Sequence, residues 1–198
     1  MSSDRPAVPA PPIRNRSWMR DIAYLFVITM LFGFAFLGSA SSVTLYSQQE
    51  ALALAFPDAD RMEKKTHILS ERQATEVETT SRSKVESRLV TLYSAWRGET
   101  LLGYLHIDVH RVRTRPEGLM VALDSEGRVT RVQVLSFGEP QEYMPVRRWY
   151  ELFAGKGPDD ALRIGRDIDA VSGATLTTRA TADSVRRAIA FHRVLLSG

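Results

Sequence analysis

The chain contains no cysteine. That absence excludes disulfides, thiolate-held iron–sulfur clusters, attached c-type haem and a catalytic thiol, so any redox chemistry has to come through a borrowed cofactor. Histidine is scarce as well, with four in 198 residues. His106 and His110 flank Asp108, but Cα atoms four residues apart on a strand lie roughly 13 Å from each other, too far for one metal ion. His67 and His192 have no companion at ligand spacing. No metal site is expected. Positive charge is not concentrated either: the net charge is +3, and no Lys/Arg-rich run interleaved with aromatics occurs. Nucleic-acid binding therefore finds no support.

The chain begins with a polar, proline-rich stretch, residues 1–20, in which Pro6, Pro9, Pro11 and Pro12 crowd together. This composition predicts a disordered tail. Residues 22–43 are uncharged and mostly apolar. About 20 such residues cross the hydrocarbon core of a bilayer, so 21–45 reads as a single transmembrane anchor. Arg14, Arg16 and Arg20 before it predict a cytoplasmic N-terminus and an extracytoplasmic remainder. Gly38-Ser39-Ala40 also resembles a signal-peptidase site, which leaves a cleaved signal peptide as the rival reading. Either way the rest of the chain crosses the membrane.

Residues 46–198 suffice for one domain. A helix is expected over 45–56, closed by Pro57, then a strand over 61–69. Ser70 and Gln73 form a capping-box pattern opening a polar helix to about Lys84. Segments 89–96 and 100–110 read as a hairpin about Arg97-Gly98-Glu99. On the second strand Leu101, Leu105, Ile107 and Val109 share one face, and Tyr104, His106, Asp108 and His110 the other. Residues 119–123 and 128–137 add two strands around an Asp124-Ser125-Glu126-Gly127 turn. A short helix over 145–154 carries Trp149, Leu152 and Phe153. The order, strands first and helices after, predicts an α+β domain: a twisted antiparallel sheet with packed helices, preceded by the one transmembrane helix.

The most informative stretch is Asp169-Ala170-Val171-Ser172-Gly173-Ala174-Thr175-Leu176-Thr177-Thr178. It places four hydroxyls and three small residues ahead of a helical pattern over 177–196. There Val185, Ala188, Ile189, His192 and Leu196 face one way, and Arg186, Arg187 and Arg193 the other. Hydroxyls at a helix start can be simple N-caps. The run is longer than a cap needs, and free N–H groups with the positive end of the helix dipole favour a phosphate. A serine-hydrolase reading of Ser172 fails, because Ser-Gly-Ala-Thr is not a Gly-x-Ser-x-Gly elbow.

The run 169–175 resembles the flavinylation motif, Asp-x-x-Ser/Thr-Gly-Ala-Thr, of the extracytoplasmic FMN-binding domains. These occur in flavin-carrying subunits of the Rnf electron-transport complex and of the sodium-translocating NADH:quinone reductase, and in the nitrous-oxide reductase regulator. The resemblance covers about ten residues closely. Elsewhere it rests on element order and the Glu-Pro before the Trp149 segment. It implies FMN held covalently by a phosphoester on Thr175, with Ser172, Gly173, Ala174, Leu176, Thr177 and Asp169 around it. A separate flavin transferase would install the group from FAD. Relatives carry a Glu-Thr-Pro-Gly-Leu-Gly loop over the flavin; the matching place here reads Glu139-Pro140-Gln141-Glu142-Tyr143. Glu139 and Tyr143 are therefore candidate flavin contacts, and Tyr143 or Trp149 either stacks on the ring or belongs to the core.

The resulting expectation is a single-pass inner-membrane flavoprotein with a periplasmic domain, relaying electrons with membrane electron-transport subunits or carriers. It is an electron-transfer subunit rather than a stand-alone enzyme, without catalytic residues of its own. An anchored assembly or sensor module with structural or absent flavin is the alternative.

Overall fold

The computed structural model describes residues 43–196. The expected tail (1–20), and the expected anchor up to residue 42, lie outside the described residues. Among the described residues, no helix is long and apolar enough to cross a membrane.

The described residues form one antiparallel sheet with helices on both faces. Strand β1 (Val43–Thr44) leads to helix α1 (Gln48–Ala55), β2 (Arg61–Ile68), α2 (Glu71–Ser81), β3 (Leu89–Arg97), β4 (Thr100–Arg111), β5 (Pro116–Asp124) and β6 (Val129–Phe137). A short helix α3 (Arg147–Tyr150) and the long α4 (Thr175–Leu196) complete the order. The sheet runs β1-β6-β5-β4-β3-β2, a meander with β1 returned to the far edge. Val43 and Thr44 pair with Phe137 and Ser136. These two residues lie inside the stretch 21–45 expected as the anchor, and the Leu45 N–H donates to Leu135 O at 2.8 Å, so residues 43–45 belong to the folded domain and not to a membrane span.

Local chemistry explains the helix limits. Ser47 and Glu50 close a capping box, which starts α1 at Gln48 rather than at residue 45. Ser70 and Gln73 do the same for α2. Arg82 then turns left-handed at φ 55°, ending α2 at Ser81, short of Lys84.

Strand β5 is central, with seven consecutive buried residues. Leu119, Val121 and Leu123 join Val132, Val134, Trp149, Phe153, Val185 and Ile189 in one core. Met120 and Ala122 join Tyr93, Leu105, Ala51 and Phe56 in a second core. A third cluster joins Leu69 and Val77 to Phe191.

Helix α4 departs in part from the exposure its pattern predicts. Val185, Ala188, Ile189 and His192 are buried as expected, but Arg186 and Arg187 do not face solvent. Arg186 donates to the carbonyls of Ser81 (2.7 Å) and Leu162 (2.9 Å) and pairs with Asp183. Arg187 donates to Asp108 at 2.6 Å. With α2 on one side and the sheet on the other, the helix has little free surface, and both guanidiniums find acceptors inside. Arg193 remains exposed.

The polar face of β4 is likewise covered rather than solvated. Tyr104 meets His192 edge-on at 5.1 Å, and His106 meets Phe191 at 5.2 Å.

Candidate flavin site

The motif enters α4 through a tight turn. Ala174 N–H donates to Val171 O at 3.1 Å, and Gly173 takes φ +82°, a left-handed conformation that suits glycine. A Cβ at Gly173 would meet nothing within 4 Å, so here glycine serves the turn and not a tight approach. Ala174 is buried at 3% exposure, which explains its small size. Thr178 N–H makes the first bond into the turn, to Ala174 O at 2.9 Å. The N–H groups of Thr175, Leu176 and Thr177 have no acceptor among the described residues.

The four hydroxyls separate into two kinds. Thr177 is buried and donates to Tyr143 O at 2.7 Å, tying the helix start to the loop after β6. Thr178 donates back to Thr175 O at 3.0 Å. Ser172 and Thr175 are exposed, and neither side chain is hydrogen-bonded to another described residue. Thr175, at the uncapped first turn, is the accessible oxygen nearest the free N–H groups.

A cavity of about 180 Å³ opens beside it, lined by Val112, Arg113, Glu139, Tyr143 and the backbone run from Gly173 to Thr177. The structure thus brings Glu139 and Tyr143, 36 and 32 residues before Thr175 in the chain, to the motif. Ser172 and Asp169 lie outside the lining. The Asp169 carbonyl accepts the indole N–H of Trp149 at 2.7 Å. Trp149 is 5% exposed and packs in the core, so it holds the motif in place instead of facing the cavity.

Arg113 is the residue that sequence reasoning passed over. It sits in the β4–β5 turn, where Val112 N–H donates to Arg115 O at 3.1 Å. Glu139 pins that turn: its Oε1 accepts from Thr114 N at 2.7 Å, Arg115 N at 2.9 Å and Thr114 Oγ1 at 3.2 Å. These donors, the Thr114 N–H foremost, hold the Glu139 carboxyl below its ordinary range. Alternating Arg111, Arg113 and Arg115 were the available signal, but spacing alone could not say which one faces a cavity.

At the stem of that hairpin, His110 lies between two carboxylates. Nδ1 is 3.1 Å from Asp108 and Nε2 is 2.9 Å from Glu117, which is wholly buried. Burial alone would lower the imidazole, but both carboxylates outweigh it and raise His110 to about 9. Burial pushes Glu117 up and His110 only partly offsets this. An imidazolium is the consistent assignment, because both ring nitrogens face acceptors and a neutral ring could donate to only one.

Residues 115–190 match the family model of the FMN-binding domain. Among solved structures, the crystal structure of NqrC from Shewanella oneidensis is similar at 18% identity and a TM-score of 0.45, covering 75% of this chain and 84% of that one. Curated proteins give no match. The matched segment carries β5, β6, Glu139, Tyr143 and the whole motif, and over residues 115–190 this chain is similar to the FMN-binding domain family.

Proposed function

We propose that this protein is an anchored extracytoplasmic flavoprotein that carries FMN as a phosphoester on Thr175 and relays electrons to or within a membrane electron-transport complex. The observation that carries the reading is the exposed, unpartnered Thr175 hydroxyl at an uncapped helix start, on the lip of a cavity in the FMN-binding segment.

The residues present fit such a group. The N–H groups of Thr175, Leu176 and Thr177, with the helix dipole, favour phosphate oxygens. Arg113 adds a cation on the cavity wall, while Val112, Tyr143 and Leu176 supply apolar surface against water. Asp169, Ser172 and Ala174 serve the turn that presents Thr175. Attachment needs a flavin transferase acting on FAD: the Thr175 oxygen bonds to the FMN phosphorus, the pyrophosphate link breaks, AMP leaves and the hydroxyl proton goes to the transferase. FMN, once bound, supplies one- and two-electron chemistry that this cysteine-free chain otherwise lacks.

An anchor that ends before β1, with Arg14, Arg16 and Arg20 on the cytoplasmic side, puts this domain in the periplasm of an inner membrane. Covalent attachment there prevents loss of a cofactor made elsewhere.

Co-expression with a flavin transferase, followed by denaturation, tests the assignment. The wild-type chain should keep in-gel fluorescence and gain the mass of the FMN phosphoester. Thr175→Ala should lose both and Ser172→Ala should keep both. Fluorescence surviving denaturation in Thr175→Ala would show the wrong attachment site.

A further inference from the structure

The cavity beside Thr175 carries two ionic side chains on its wall, and they differ in how far they are already committed. Among its described lining residues, Glu139 is the one acid and Arg113 the one base. The Glu139 carboxylate is engaged, because its Oε1 collects the N–H groups of Thr114 and Arg115 and the Thr114 hydroxyl. Arg113 is exposed, and its guanidinium makes no hydrogen bond or ion pair with another described residue.

Neighbouring arginines are placed otherwise. Arg111 donates to Thr114 O at 3.2 Å, and Arg115 does not line the cavity. The main chain that carries Arg113 is fixed on both sides: Val112 N–H donates to Arg115 O, and Glu139 takes the N–H groups of the two residues that follow Arg113. The backbone position is therefore set while the guanidinium stays free. Across the cavity, the N–H groups of Thr175, Leu176 and Thr177 add the positive end of a helix to the same space. Val112, Tyr143 and Leu176 make the rest of the wall largely apolar, which strengthens any charge interaction there.

A phosphoester on Thr175 brings one negative charge to the helix start. Each electron that a flavin then accepts adds another, unless a proton follows from solvent. With Glu139 held by backbone donors, Arg113 is the side-chain cation on the described wall that can meet this added charge. We propose that Arg113 sets the electron affinity of the flavin: its guanidinium stabilises the negative charge gained on reduction and so raises the reduction potential. Electrons come from a reduced carrier of the membrane complex, which is oxidised, and Arg113 itself neither gains nor loses a proton. The inference rests on Thr175 as the attachment point.

Full-length protein co-expressed with a flavin transferase, as wild type and with Arg113→Lys, Arg113→Gln or Arg113→Glu, is compared by spectroelectrochemical titration. The potential should follow charge, with wild type and Arg113→Lys close together, Arg113→Gln lower and Arg113→Glu lowest. Each unit of charge removed should lower the ratio of reduced to oxidised flavin roughly three- to tenfold, about 15–30 mV for a two-electron couple. High salt should narrow the gap between wild type and Arg113→Gln, because the guanidinium is exposed. Arg193→Gln removes the same charge near the far end of α4, roughly 27 Å from Thr175 at about 1.5 Å per residue, and should leave the potential unchanged. Equal potentials in Arg113→Lys and Arg113→Gln, or a shift in Arg193→Gln as large as that in Arg113→Gln, overturns the proposal. Should Arg113→Glu escape flavinylation, the Lys and Gln pair decides. The two failures are separable by mass. A wild-type chain that gains no FMN sinks the Thr175 reading and this one with it, whereas a chain flavinylated at Thr175 whose potential ignores the charge at position 113 sinks this one alone.

Discussion

Glu139 holds the cavity wall by one oxygen. Three donors from Thr114 and Arg115 converge on Oε1, so Glu139→Ala strands two backbone N–H groups. Stability should fall by about 1–3 kcal/mol, and Glu139→Gln, which keeps a carbonyl acceptor, should recover part of it. Its folded pKa lies below its ordinary value, so the contribution is complete at neutral pH and is lost as pH falls through the folded value. Urea unfolding of the three proteins at pH 7 and pH 4 checks both statements. At this scale the sequence was readable where a residue type has one common use. Thr175 and Gly173 stood out because hydroxyl, glycine and helix start coincide. Arg113, Arg186 and Arg187 did not, since an arginine reads the same whether it faces solvent, a cavity or a buried carboxylate. Only the folded surroundings tell them apart: a cavity for Arg113, the Ser81 and Leu162 carbonyls for Arg186, and Asp108 on β4 for Arg187.

Strand β4 and helix α4 are held by more than apolar contact. Arg187, Asp108, His110 and Glu117 form a line of alternating charge from the helix across β4 to β5. His110 is raised from its ordinary value of 6.5 to about 9 in the folded state. Its contribution is therefore complete below the unfolded value and disappears as pH rises through about 9. The most it adds is about 3 kcal/mol, and the cost of burying Glu117 reduces this. The thermal midpoint should decline between pH 7 and pH 10, and His110→Gln should flatten that decline. An unchanged slope in the variant would show that another group titrates. The sequence revealed the alternation of β4 but not which face was wet. Tyr104, His106, Asp108 and His110 look like a solvent-facing row, yet α4 meets the first three and His110 is buried between Asp108 and Glu117, so aromatic and ionic partners supply what water would have given. The capping box at Ser70, by contrast, was decided within four residues and read directly, whereas the equally local box at Ser47 went unread and the helix was expected from residue 45.

For the whole molecule, the pairing of β3 with β4 and of β5 with β6 was legible because a short turn joins each pair. The return of β1 to the β6 edge was not legible, since two residues of strand carry no periodicity. Topology across the membrane can be tested with the same cysteine-free chain. Lys64→Cys should react with a membrane-impermeant maleimide in cells with a permeabilised outer membrane, and Ser3→Cys should react only after lysis. The opposite pattern would reverse the proposed orientation.

Thr175 is the first residue of a 22-residue helix with eleven buried positions spread from Thr177 to His192. Such a helix is roughly 33 Å long, wedged between the sheet and α2. It acts as a stiff mount: thermal bending of a loop cannot shift the Thr175 hydroxyl relative to the sheet. If the proposed flavin is carried on Thr175, its distance from any redox partner is set by the docking of the whole domain and not by a flexing loop, so a variant that alters docking should change transfer rates with the extent of flavinylation unchanged.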